Sequence, residues 1–133
     1  MERRTRVYIA GKMSGLPNYN REAFNAAEDR LRANGFDVFN PARVEIEDGD
    51  WKDYMRKDIE QLVNCDLVAA LPGWQKSQGA CVEHDLCRTL GIPWQELQVV
   101  LMAKVHREQT GSMDVSTVSS EPMKNNTVTS VVL

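Results

Sequence analysis

Two acidic residues stand where apolar side chains are expected. Over residues 51–64, Trp51, Met55 and Leu62 fall on one helical face at spacings of four and seven, and the position that completes the row is Asp58. Downstream, Ala80, Glu83, Cys87 and Leu90 repeat the pattern at spacings of three, four and three, with Glu83 breaking the row. A buried carboxylate is costly unless it is paired or hydrogen-bonded, so a chain that keeps one has a structural or a chemical use for it. The structural use is the charged border of an apolar stripe, with Asp58 pairing with Arg56 or Lys57. The chemical use is a pair of carboxylates in a cleft. Glu83 follows a strand end, in or near the first turn of its helix, where unpaired N–H groups and the macrodipole favour an ionised acid. Such an acid can attack as a nucleophile or stabilise a developing cation. Two carboxylates are the usual equipment for breaking a glycosidic bond through an oxocarbenium-like state, and residue types alone leave other reactions open.

The elements that must position these acids follow from patterning. Val7-Tyr8-Ile9-Ala10-Gly11 is a β-rich apolar run, followed by the turn-rich loop Lys12-Met13-Ser14-Gly15-Leu16-Pro17-Asn18. From Asn20 to Asn34 the residues Phe24, Ala27 and Leu31 recur at helical spacing, and Gly35 ends the helix. Phe36 to Phe39 is a second strand. Asn40-Pro41 opens an acidic loop, and Asp50 caps a second helix over about Trp51 to Asn64. The unbroken apolar run to Leu71 suits a strand buried on both faces of a parallel sheet. A third helix reaches about Leu90, stopped by Gly91 and Pro93, and Leu97 to Ala103 reads as a fourth strand. This alternation predicts a flavodoxin-like three-layer α/β sandwich with four or five parallel strands, whose functional loops leave the strand ends at Gly11-Lys12, Phe39-Asn40 and Leu71-Pro72.

The chain has 133 residues, 42% hydrophobic and 26% charged, with a net charge of -3. That balance offers no electrostatic case for a polynucleotide and favours a small substrate. The apolar run near the N-terminus is too short for a signal peptide or a membrane span, so a cytoplasmic protein with no membrane partner is expected. Three cysteines, Cys65, Cys81 and Cys87, are expected as reduced thiols. Residues 1–106 read as one domain and 107–133, poor in periodic pattern, as a flexible tail.

Tyr8-Ile9-Ala10-Gly11, Asp58 with Cys65-Asp66-Leu67-Val68, and Gly79-Ala80-Cys81-Val82-Glu83 together resemble the nucleoside 2-deoxyribosyltransferase-like superfamily over about residues 5 to 93. Within it, Ala10-Gly11-Lys12-Met13-Ser14-Gly15 is most similar to small, often phage-encoded deoxyribosyltransferase-like proteins. The resemblance implies that Glu83 is the nucleophile at the anomeric carbon, that Asp58 contacts base or sugar and assists proton movement, and that Tyr8 orients the glutamate. It implies homodimerisation and cleavage or exchange of an N-glycosidic bond without metal or organic cofactor; Gly11, Lys12 and Met13 of the first loop and Gly79 are expected as substrate contacts, with a solvated loop lysine as the alternative for Lys12. Ser77, six residues before Glu83, is similar to the serine of nucleoside 5'-monophosphate N-glycosidases, where a hydroxyl and free N–H groups would receive a phosphate; an ordinary N-cap explains it equally. Trp94-Gln95-Glu96-Leu97 departs from the pattern, interrupting the place of a last core strand.

Other constellations weigh less. Cys81, His84 and Cys87 spread too widely around one helix for a zinc set. The Gly11–Gly15 loop lacks the Gly-Lys-Ser/Thr ending of a nucleoside triphosphatase. Of the tryptophans near the cleft, Trp51 reads as core and Trp74 as the platform for a nucleobase. Two further function classes stay open: a non-catalytic module that binds or senses a nucleotide, and an NAD-cleaving hydrolase of the TIR-like kind.

Overall fold

The computed structural model describes residues 3–110, with side chains through residue 103. Strands and helices alternate as β1 (Arg6–Ala10), α1 (Arg21–Ala33), β2 (Asp37–Phe39), α2 (Trp51–Leu62), β3 (Leu67–Ala70), α3 (Gln78–Leu90), β4 (Trp94–Glu96) and α4 (Leu97–Thr110). Short 3-10 turns lie at Pro17–Asn20, Pro41–Arg43 and Trp74–Lys76. The strands form one parallel sheet in the order β2-β1-β3-β4.

The two-residue alternation of the strands sorts their side chains into two cores. Val7, Ile9, Ala69 and Leu71 pack with Phe24, Ala27 and Leu31 of α1 and with Leu97, Val100 and Leu101 of α4. Tyr8, Ala10, Val68 and Ala70 face the opposite way, against Leu62 of α2 and Cys87 of α3. The result is the expected three-layer sandwich. Helix ends follow local chemistry: Asp50 and Asp53 form a reciprocal capping box at the start of α2, and Gly35 (φ 92°) and Gly91 (φ 77°) supply the left-handed residues after α1 and α3.

The fourth strand is a correction. Leu97–Ala103, expected as a strand, is the first half of α4, and the strand is the preceding Trp94–Glu96. The residues taken for an interruption are therefore the strand itself. In α4 the buried residues Leu97, Val100 and Leu101 are spaced for a helix, while Val99 and Met102 beside them are exposed, so the apolar run conceals its period. α4 continues to Thr110, and the expected tail beyond it lies outside the described residues.

One buried acid outside the cleft holds a wall of it. Glu28 of α1 accepts hydrogen bonds from Arg43 Nε (2.6 Å), Arg32 Nε (2.7 Å) and Asn40 Nδ2 (3.0 Å), and Asn40 in turn receives the Ala42 N–H. This network ties α1 to the turn after β2. Burial pushes the Glu28 carboxyl up, but the donors from Arg43, Asn40 and Arg32 outweigh it and bring it down to about 2. Because the folded-state value is depressed, the stabilisation is present above the ordinary glutamate range and is lost as pH falls towards 2. Glu28→Gln should cost about 3 kcal/mol at pH 7 in urea denaturation, shrinking on acidification; a constant penalty across pH would show that charge is not what holds the turn.

The strand order sets where a ligand can sit. The chain leaves β1 for β2 on one side and returns past it to β3 on the other, opening a crevice beyond the carboxyl ends of β1 and β3.

Candidate active site

The crevice is a cleft of about 720 Å³. At its floor the Tyr8 hydroxyl of β1 donates to Glu83 Oε2 of α3 at 2.6 Å. Tyr8 is fully buried, held by stacking on Phe39, its neighbour on β2, at 5.6 Å between ring centres. Glu83 is only 5% exposed. Asp58 of α2 lines the same floor, and its buried Oδ1 has no hydrogen-bond partner among the described residues.

Burial dominates the protonation of this pair. It raises Glu83 to about 8, opposed by the Tyr8 hydroxyl and reinforced by Asp58, and it raises Asp58 to about 7. Burial, followed by the neighbouring Glu83, likewise lifts the Tyr8 phenol well above its ordinary range, so Tyr8 remains a hydrogen-bond donor. Both acids line one floor and Asp58 raises Glu83, so they do not both ionise readily, and between about pH 7 and about pH 8 the pair shares a single proton. The Tyr8 donor offsets part of the cost of charging Glu83, while Asp58 Oδ1 receives no hydrogen bond among the described residues.

Two of the sequence expectations about these acids change. Glu83 lies six residues beyond the Ser77 N-cap, past the first turn, so burial overrides the dipole and favours its protonated form. Asp58 makes no ion pair with Arg56 or Lys57 among the described residues. The row on α2 also has a different meaning: Trp51, 44% exposed, and Met55 line the cleft, whereas only Leu62 is fully buried.

Gly11, Lys12 and Met13 line the cleft from the end of β1, and Ser77 and Gly79 from the start of α3. Gly11 is also a packing requirement, because a Cβ there would stand 3.1 Å from Leu71 and 3.2 Å from Phe24. A Cβ on Gly79 would meet Met55 Sδ at 3.0 Å, so glycine lets α3 approach the cleft face of α2. Ser77 is the N-cap of α3, its Oγ accepting from Ala80 N at 3.0 Å, and it still lines the cleft. The first-turn N–H groups of Gln78 and Gly79 lie beyond the reach of intrahelical bonds.

Trp74, expected as a base platform, is not among the residues lining the cleft. Its ring packs 4.8 Å from His84 and 4.9 Å from Trp94, in a three-ring cluster over the outer core. His84 is half-buried in that cluster, and Cys87 is buried with its thiol pushed up to about 12, so neither is presented as a ligand. Sequence reasoning assigned Trp51 to the core and passed over Tyr19, Arg21, Tyr54 and Lys76, and all five line the cleft. Trp51 carried a signal, since it shares a row with Asp58; Tyr19 and Arg21 become visible only once the loop after β1 is folded.

The four-stranded parallel sheet with helices on both faces is a fold this chain shares with a deoxyribosyltransferase. The 2-deoxyribosyltransferase of the psychrotolerant bacterium Bacillus psychrosaccharolyticus superposes with a TM-score of 0.54 over 68% of this chain and 69% of that one, at 21% identity. The chain belongs to the family described as a domain of unknown function, DUF4406, whose family model matches residues 5–95. The superfamily resemblance drawn from the sequence is thereby borne out. Three strains of Cereibacter sphaeroides have UDP-N-acetylmuramoylalanine–D-glutamate ligases that are 31% to 32% identical to this chain over 109 residues. The match covers 78% of this chain and 22% of each ligase, so the chain spans about a fifth of the length of these curated relatives. Among the described residues no helix is long and apolar enough to cross a membrane.

Proposed function

We propose that the cleft breaks or exchanges the N-glycosidic bond of a nucleoside 5'-monophosphate or nucleoside, with Glu83 as nucleophile. The observation that carries this reading is the buried pair at the cleft floor, one carboxyl held by a hydroxyl donor at 2.6 Å and the other with no donor to Oδ1 among the described residues. Glu83 Oε1, the oxygen not engaged by Tyr8, attacks C1' as the bond from C1' to the base nitrogen breaks. The electron pair leaves with the base, and Asp58 supplies its proton. Water or a second base then attacks C1', displacing Glu83 and returning a proton to Asp58, so that configuration is retained over two inversions. The step requires no metal or organic cofactor.

Charge around the rim supports a phosphorylated substrate. Lys12, Arg21 and Lys76 line the cleft together with Ser77 and the start of α3, where the Ser77 hydroxyl and the N–H groups of Gln78 and Gly79 suit an anion. Trp51 replaces Trp74 as the ring placed to meet a base. A second reading, a nucleotide-sensing module without turnover, draws on the raised pKa of Glu83 and on the occurrence of the related stretch within much longer ligase chains.

The test is base release, followed by chromatography, from ribo- and deoxyribonucleosides, their 5'-monophosphates and NAD, with and without an acceptor base. Release from monophosphates by the wild type, absent in Glu83→Ala, is expected. Binding without release by either protein would favour the sensing module, and preference for NAD a TIR-like hydrolase. Homodimerisation and a cytoplasmic location remain part of the proposal, checked by sedimentation and fractionation.

A further inference from the structure

We infer that Asn20 is a positioning residue that fastens the loop Lys12–Asn20 into the shape that presents Lys12 to the cleft. This rests on the reading of the cleft as a ligand site. Three consecutive residues that are not glycine, Asn18, Tyr19 and Asn20, have φ of 51°, 55° and 60°, a left-handed run that L side chains disfavour. A fold keeps such a run where the surrounding contacts over-determine it, and such sites cluster at ligand clamps. Here the over-determining contact spans the neck of the loop: Asn20 Nδ2 donates to the Lys12 carbonyl oxygen at 3.1 Å.

Asn20 is also the N-cap of α1, a position at which asparagine ordinarily accepts from the first-turn N–H groups. Its side chain makes no such bond. The carboxamide that would serve the helix is turned back across the loop, so this part of the chain gives up helix capping and backbone relaxation to hold the Lys12 end in place. Within the neck, Leu16 N donates to Met13 O at 3.2 Å and Tyr19 N to Leu16 O at 2.9 Å. Arg21 completes the assembly, its guanidinium donating to Asn18 Oδ1 at 3.0 Å and lying 5.2 Å from the centre of the Tyr19 ring. Lys12, Met13, Ser14, Tyr19 and Arg21 of this segment all line the cleft. A loop bound at its neck before the ligand arrives avoids the ordering cost of binding, and its two cations suit the anionic end of a nucleotide.

Asn20→Gly separates this role from a purely structural one, because glycine accepts the left-handed backbone without strain yet cannot donate to Lys12. The variant should melt no lower than the wild type. By hydrogen exchange, the Leu16 and Tyr19 amides should exchange about ten-fold faster while those of the sheet are unchanged. In calorimetric titration with a panel of nucleoside 5'-monophosphates, Kd should rise about ten-fold, and in turnover the loss should fall on KM with kcat kept. In a Lys12→Ala background, Asn20→Gly should add little further loss. Unchanged protection of Leu16 and Tyr19 would overturn the inference, as would a melting temperature that falls together with protection throughout the chain. Exchange is read without ligand, so a wild type that binds no monophosphate would sink the substrate reading while the loop result still decides the role of Asn20.

Discussion

Glu83→Gln should lose base release by roughly 10³-fold or more while making the protein harder to unfold at pH 8. The two halves have one cause. Burial raises the Glu83 carboxyl from 4.5 to about 8, so between those values the folded state keeps a proton that the unfolded chain has released. The stability contribution is fully present below the unfolded value and is lost as pH rises through the folded one. Glutamine keeps the acceptor for Tyr8 and cannot ionise, so it escapes that loss. Its melting temperature should exceed that of the wild type by about 5 °C at pH 8, with the gap closing towards pH 4.5. Equal melting curves across this range would mean that Glu83 is not desolvated, and would remove the physical case for a strained catalytic acid.

The second large effect concerns Asp58. With the pair raised to about 7 and about 8, the productive form is the one that holds a single proton, and the wild-type kcat/KM should trace a bell with its maximum between those values. Asp58→Asn removes the proton donor and should lower base release by about 10²- to 10⁴-fold. It should also delete the alkaline limb and leave one ascending limb. Asp58 is uncharged along that limb in the wild type, so the limb should not move to lower pH in the variant. A bell retained in Asp58→Asn would assign the second ionisation to another group and leave Asp58 with a binding role only.

The sheet, its order of elements and both acids were legible in the sequence because each leaves a periodic trace. Val7–Ala10 and Leu67–Leu71 are unbroken apolar runs bounded by turn residues, and Asp58 and Glu83 are visible as faults in helical rows. The fourth strand was not legible: Trp94–Glu96 is only three residues long, and the apolar segment after it has no clear alternation. Within the site, spacing on α2 located Trp51 on the row of Asp58 but could not say that the row leaves the core and becomes a cleft wall. Trp74 was misjudged because a ring in a loop has no periodic context, and its partners His84 and Trp94 come from other elements. The charge state of Glu83 depended on depth within the fold, which position along a helix does not report.

The placement of the chain's three tryptophans has a spectroscopic consequence. Trp74 and Trp94 lie against each other and against the His84 imidazole, a known route for loss of excited-state energy, while Trp51 stands apart at the cleft, 44% exposed. Intrinsic emission from the native protein should therefore come chiefly from Trp51 and lie at the long wavelengths of a wet indole. The protein thus carries its own reporter of cleft occupancy: a stacked base would quench and blue-shift that emission without any attached dye, and Trp51→Phe would silence it.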